Sequence, residues 1–105
     1  SLIFMIGEKM LFTIFCIDKP NMAEKRASAL PAHVEYLSTQ TQIKNIMSGP
    51  LMDDAMESVV GSLYILDAPN RSAIEDFTRG DPLVAADIWA SVEIRAFDKR
   101  VDNRN

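Results

Sequence analysis

The run Met10–Ile17, MLFTIFCI, constrains the fold of this chain more than any other stretch. Its β-branched and aromatic side chains favour a strand, and Asp18-Lys19-Pro20-Asn21 closes it with turn chemistry. Side chains alternate along a strand, so Met10, Phe12, Ile14 and Cys16 share one face and Leu11, Thr13, Phe15 and Ile17 the other. Both faces are apolar. An antiparallel strand with one wet face alternates instead, so both faces of this one call for cover.

The remaining elements follow from periodicity and breakers. Ala23 to about Gln42 reads as a helix, because Ala23, Ala27, Leu30, Val34, Leu37 and Thr41 recur at three- and four-residue steps. Pro31 lies within it, and a proline removes a backbone donor and clashes with the preceding turn. The expectation is a short segment, Ala23–Ala29, running into a longer one that starts at Pro31. Ile43–Leu51 is a second strand ending at Gly49-Pro50, and Ser58–Leu66 a third, with Gly61 marking a bulge or a close approach. After the turn Asp67-Ala68-Pro69-Asn70, Ser72–Arg79 is a short helix with Ala73, Ile74 and Phe77 on its apolar face. Gly80-Asp81-Pro82 breaks the chain, Leu83–Asp87 makes one helical turn, and Ile88–Phe97 is a last strand with half-polar alternation.

The order is β-α-β-β-α-β, an α+β ferredoxin-like domain with both helices on one face of an antiparallel sheet. Two helices cover one face of the first strand. A second copy of the sheet is the simplest cover for the other, which predicts a homodimer. A chain of 105 residues has room for one core and not for two. The domain is placed at residues 10–99, with 100–105 as a solvated C-terminal tail. Residues 1–9 read as an N-terminal extension or expression remnant. Their apolar run, Leu2–Ile6, is far below the ~20 residues that span a bilayer, and no small-residue cleavage site follows it. No membrane partner is expected.

The formal net charge is −4, and the basic residues Lys99, Arg100 and Arg104 are interrupted by Asp98 and Asp102. Nucleic acid binding calls for clustered cations, so none is expected here. The single cysteine, Cys16, permits no internal disulfide and sits in an apolar run as a small hydrophobe. One Cys and one His also fall short of the usual zinc ligand sets, so neither metal nor cofactor is expected. This usage suits a reducing cytoplasm.

Few residues are left to carry chemistry. His33 is the only histidine, and imidazole is the side chain suited to proton exchange near neutrality. It falls on the flank of the helical stripe beside Leu30 and Leu37, with Arg26 on the same flank, facing the seam between helix and sheet. Asp81 before Pro82 is what helix capping favours, yet a cap has two oxygens and can spare one for an imidazole. Ser48-Gly49-Pro50 can offer backbone N–H groups and a hydroxyl to a ligand, although it also reads as a common strand-end turn. Asp53-Asp54 reads as a solvated loop pair, and Met47, Met52 and Met56 as gap fillers. No GxGxxG, P-loop or GxSxG pattern occurs.

These residues carry a resemblance. MLFTIFCIDKP, then EKR at Glu24–Arg26 and PAH at Pro31–His33, resemble the N-terminal half of YciI-like proteins. Ser48-Gly49-Pro50 is similar to that family's small-Gly-Pro motif, and Gly61-Ser62 followed later by Asp81-Pro82-Leu83-Val84-Ala85-Ala86 is similar to its DPYVAA-like motif. The likeness spans Met10 to about Lys99. It implies a ferredoxin-like fold in a dimeric α/β barrel, and an active site in which His33 meets Asp81. Through the family it extends to muconolactone-isomerase-like proteins and to a dehydrochlorinase of a chlorinated hydroxyquinol. One departure is Leu30, where the family often has arginine before Pro-Ala-His; if that arginine clamps an anionic substrate, this chain has lost the clamp or Arg26 does the job.

Two functions remain open. In one, His33 and Asp81 move a proton on a small cyclic or aromatic substrate (lyase, isomerase or dehydrochlorinase chemistry), with Arg26, Ser48, Gly49 and Pro50 binding it. In the other the domain binds a small ligand without turnover. A purely structural assembly domain would need no pocket at all.

Overall fold

A computed structural model describes residues 10–104, so the expected N-terminal extension, residues 1–9, lies outside the described residues. The elements run β1 (Met10–Asp18), α1 (Ala23–Ser38), β2 (Lys44–Met52), β3 (Val59–Ala68), α2 (Arg71–Gly80), α3 (Pro82–Ala85) and β4 (Trp89–Phe97). The strands form one sheet in the order β2-β3-β1-β4, with every neighbouring pair antiparallel. This is the expected α+β, ferredoxin-like arrangement. Pro50 is tolerated in β2 because that strand is an edge.

One face of the sheet builds the core. Phe12, Ile14 and Cys16 of β1 pair across to Leu66, Tyr64 and Ser62 of β3, and these bury against Ile74 and Phe77 of α2 with Leu83 and Trp89. The opposite face is open in the single chain. There Phe15 is 44% and Ile17 38% exposed. The apolar second face inferred for β1 is therefore real, and nothing within the described chain covers it fully.

Helix α1 departs from the sequence reading in two ways. It runs unbroken through Pro31. The proline is exposed, and so is Ala27, whose carbonyl loses its helical donor; water can satisfy that group. The helix ends at Ser38 rather than near Gln42, because the Thr39 hydroxyl and the Gln40 amide both donate to the Tyr36 carbonyl, at 3.1 and 2.9 Å. The apolar stripe is only partly covered: Leu37 packs against the core, no residue of α1 is fully buried, and Leu30 is 53% exposed.

Polar anchors hold α1 instead. Arg26 reaches Asp18 at the end of β1, His33 reaches Asp81 ahead of α3, and the Tyr36 hydroxyl donates to the Phe77 carbonyl at 2.7 Å. Tyr36 also stacks on Phe77, with ring centroids 5.4 Å apart. These anchors recur at helical spacing on one flank. They hold the helix against the domain while its apolar stripe stands off the sheet, and that gap is the cleft described below.

Cys16 is wholly buried, and burial pushes its thiol up from 9.0 to about 12; the Asp81 charge adds to the shift and Arg26 opposes it. A thiol held protonated is a poor nucleophile. Iodoacetamide at pH 8 is expected to leave native Cys16 unmodified and to alkylate it only as the domain unfolds, which mass spectrometry reads directly. The same shift sets a sign for alkaline stability. Above about 9 the unfolded thiol loses its proton while the folded one keeps it, so stability falls as pH rises toward 12. Tyr64, also raised by burial, adds to that loss from about 10 upward.

Candidate functional site

Between α1 and the β2–β3 half of the sheet lies a cleft of about 370 Å³. Leu30, Val34 and Leu37 form its helical wall, with Pro50, Val59 and Leu83 opposite. Its polar groups come from Arg26, His33, Ser48, Ser62 and Tyr64. Of the residues singled out from sequence, Arg26, His33, Ser48, Gly49 and Pro50 all line this cleft. Asp81 sits one layer behind His33 and is only 1% exposed.

Three groups converge on the Asp81 carboxylate. The His33 Nδ1 lies 2.9 Å from Oδ1, the Leu83 N–H donates to the same oxygen at 2.9 Å, and the Tyr64 hydroxyl donates to Oδ2 at 2.9 Å. Asp81 therefore caps α3, with Pro82 in the first turn, and meets the imidazole as well. The division of labour differs from the sequence expectation. One oxygen serves both the cap and the imidazole, and the other is taken by Tyr64.

This arrangement fixes the imidazole. An ionised carboxylate only accepts hydrogen bonds, so a neutral His33 has its proton on Nδ1 and a lone pair on Nε2. The His33 side chain is 14% exposed, so it is reachable from solvent beside a buried partner. The Tyr64 ring meets the imidazole edge-on, with centroids 6.3 Å apart. Burial, then the Asp81 charge and the hydrogen bond to it, raise the Tyr64 hydroxyl above its ordinary value and keep it a donor.

Arg26 is tied down. Its Nε and Nη2 donate to the two Asp18 oxygens at 2.6 and 2.8 Å, and Nη2 also reaches the Gly61 carbonyl at 3.0 Å and the Ser62 hydroxyl at 2.8 Å. The pair is largely buried, with side-chain exposures of 16% and 4%. A bidentate pair of this kind consumes the guanidinium charge, leaving Nη1 without a hydrogen-bond partner among the described residues. The Ser48 hydroxyl accepts from the Asn45 amide at 2.8 Å and retains its own proton for donation. Gly49 contributes backbone alone, and a Cβ there would meet nothing within 4 Å.

Sequence reading missed Tyr64, Asp18 and Ser62. Tyr64 and Ser62 stand two apart on β3 and so share the cleft face, and a buried tyrosine seeks a partner for its hydroxyl. Asp18 reads as turn chemistry, and only the fold brings it back onto Arg26.

Residues 10–98 match the YCII-related domain. Protein YciI of Escherichia coli O6:H1 is 29% identical over 96 residues, covering 86% of this chain and 98% of that protein. An uncharacterised Haemophilus influenzae protein is 30% identical over 96 residues with the same coverage. Among solved structures, 5-chloro-2-hydroxyhydroquinone dehydrochlorinase from Burkholderia phenoliruptrix, in complex with 2,5-dihydroxybenzoquinone, superposes with a TM-score of 0.77 at 25% identity, covering 85% of this chain and 94% of that one. A Pseudomonas aeruginosa protein of 12% identity shares the fold, with a TM-score of 0.57 over 90% of this chain and 97% of that one. With its domain matched almost from end to end, the chain belongs to the YCII-related family.

Proposed function

We propose that this protein is a small-molecule enzyme in which His33, oriented by Asp81, moves a proton on a small cyclic or aromatic substrate held in the cleft. The observation that carries the reading is the His33 Nδ1–Asp81 contact of 2.9 Å at the wall of that cleft. Asp81 holds the Nδ1 proton, and Nε2 acts as the base and then as the acid. Taking a proton from substrate leaves an electron pair that forms a double bond and expels a leaving group or shifts an existing double bond. The first is a lyase or dehydrochlorinase step and the second an isomerisation. The likeness to a dehydrochlorinase solved with a dihydroxybenzoquinone supports a substrate of this kind. Ser48 and the Arg26 Nη1 group serve as donors to its oxygens, while Gly49 and Pro50 shape the wall.

The protein works as a cytoplasmic homodimer in this reading. The exposed Phe15 and Ile17 on the open sheet face support pairing, since a second sheet would cover them. The alternative is a ligand-binding dimer without turnover. Its support is that His33 also tethers α1, so its contact with Asp81 has a structural use.

His33→Asn separates the two. Asparagine keeps a donor near the Nδ1 position, and so the tether, while removing Nε2. In a panel of lactones, chlorinated hydroxyquinols and related phenols, it is expected to lower turnover by ~10²–10⁴ with the fold intact. Unchanged turnover in that variant would remove the proton-transfer role, and a wild type that binds members of the panel without converting any would favour the ligand-binding reading.

A further inference from the structure

The cleft offers no unpaired permanent cation among the described residues, and this bears on what can enter it. Arg26 is the only permanent cation among the described residues that line it. Asp18 neutralises it through two charge-assisted hydrogen bonds. Asp81, behind the wall, is met by three donors, none of them a cation while His33 is neutral. Tyr64, Cys16 and Tyr36, all within reach of the Asp81 charge, are held in their protonated, uncharged forms chiefly by burial. Beyond the Arg26–Asp18 pair, the site therefore holds the Asp81 carboxyl group and no permanent cation to match it among the described residues. The rest of the lining is largely aliphatic, with Leu30 and Val34 on the helix side and Val59 and Leu83 facing them.

An anion entering this cleft would exchange water for hydrocarbon and meet no unpaired cation. A charge transferred in that way is strongly disfavoured, whereas a neutral polar group needs only hydrogen bonds. Those are on offer from Ser48, from Arg26 Nη1 and from the imidazole. The volume lies near the small end of ligand pockets and suits a compact molecule. We propose that the cleft selects uncharged, single-ring ligands bearing hydroxyl, carbonyl or amide groups, and discriminates against their carboxylate counterparts. Asp18 and Leu30 are the specificity-determining residues, the first by cancelling Arg26 and the second by keeping the rim apolar. The inference rests on the proposed function only in seating the ligand against His33.

The test uses the lone imidazole as a reporter. ¹H–¹⁵N spectra of His33 are followed as the whole chain is titrated with benzamide and with benzoate, an isosteric neutral and anionic pair. The pH is one at which the same spectra show the ring to be neutral. Benzamide is expected to perturb the His33 resonances at a concentration at least tenfold below that needed for benzoate. Leu30→Arg, at a half-exposed position that tolerates a charge, is expected to improve benzoate binding at least tenfold. Asp18→Asn should act in the same direction by freeing Arg26. Equal or tighter binding of benzoate to the wild-type protein overturns the proposal, as does a Leu30→Arg variant with no gain for benzoate. A His33 signal that neither ligand moves, in either protein, overturns it as well. No turnover is needed, so the two readings fail separately. Selective binding with turnover indifferent to His33→Asn leaves this inference standing alone, whereas His33-dependent turnover of carboxylates in preference to their amides leaves only the proton-transfer role.

Discussion

Asp81→Ala is expected to lower the unfolding free energy by about 4 kcal/mol. The carboxylate is 1% exposed and ends three hydrogen bonds, from the His33 ring, the Leu83 N–H and the Tyr64 hydroxyl. Removing it strands a buried phenol, leaves α3 uncapped and frees α1 from one of its anchors. Each buried donor left without a partner costs about 1–3 kcal/mol, and the loss of a cap about 1. Asp81→Asn keeps the volume and an acceptor, so it should lose roughly half as much. Urea denaturation followed by the fluorescence of Trp89, the only tryptophan, measures both variants.

Gly61→Ala should cost about 3 kcal/mol through a different cause. A Cβ there would lie 2.1 Å from the Cys16 carbonyl oxygen and 3.2 Å from the Leu51 side chain. The nearer atom is backbone of the adjacent strand, so β1 and β3 must part for the methyl group to fit. The β2–β3 ladder shifts register next to this position, between Leu51 and Met52. The Gly61 carbonyl also accepts from Arg26, so strand separation would loosen the anchor at the start of α1. Gly49→Ala is the control. Nothing stands within 4 Å of its added carbon, and its effect should stay within about 0.5 kcal/mol.

The contrast between these glycines shows what the sequence could and could not convey. Gly61 inside a run of β-formers already signalled a bulge or a close approach, and the close approach is to the neighbouring backbone. The strands and their two-faced first member were legible because alternation is a local property. Helix α1 was legible only in part. Its apolar stripe and the Arg26–His33 flank facing the seam were legible by periodicity, whereas the helix running on through Pro31 and the cleft that meets Leu30 and Val34 were not. Periodicity reports which side chains share a face and not what that face meets. The meeting of His33 with Asp81, 48 residues later, came from family likeness and from the chemistry of a cap with oxygen to spare. Tyr64 and Asp18 were out of reach, since both take their meaning from partners set only by tertiary structure.

The proposed chemistry requires the imidazole to be held with its Nδ1 proton toward Asp81 and Nε2 free. Because His33 is the only histidine, its ring nitrogens can be read without ambiguity by long-range ¹H–¹⁵N correlation in uniformly labelled protein. The predicted result is a neutral ring with the proton on Nδ1, a preference that weakens in Asp81→Asn. A neutral ring with its proton on Nε2, unchanged in Asp81→Asn, would contradict the arrangement from which the proposed chemistry is derived.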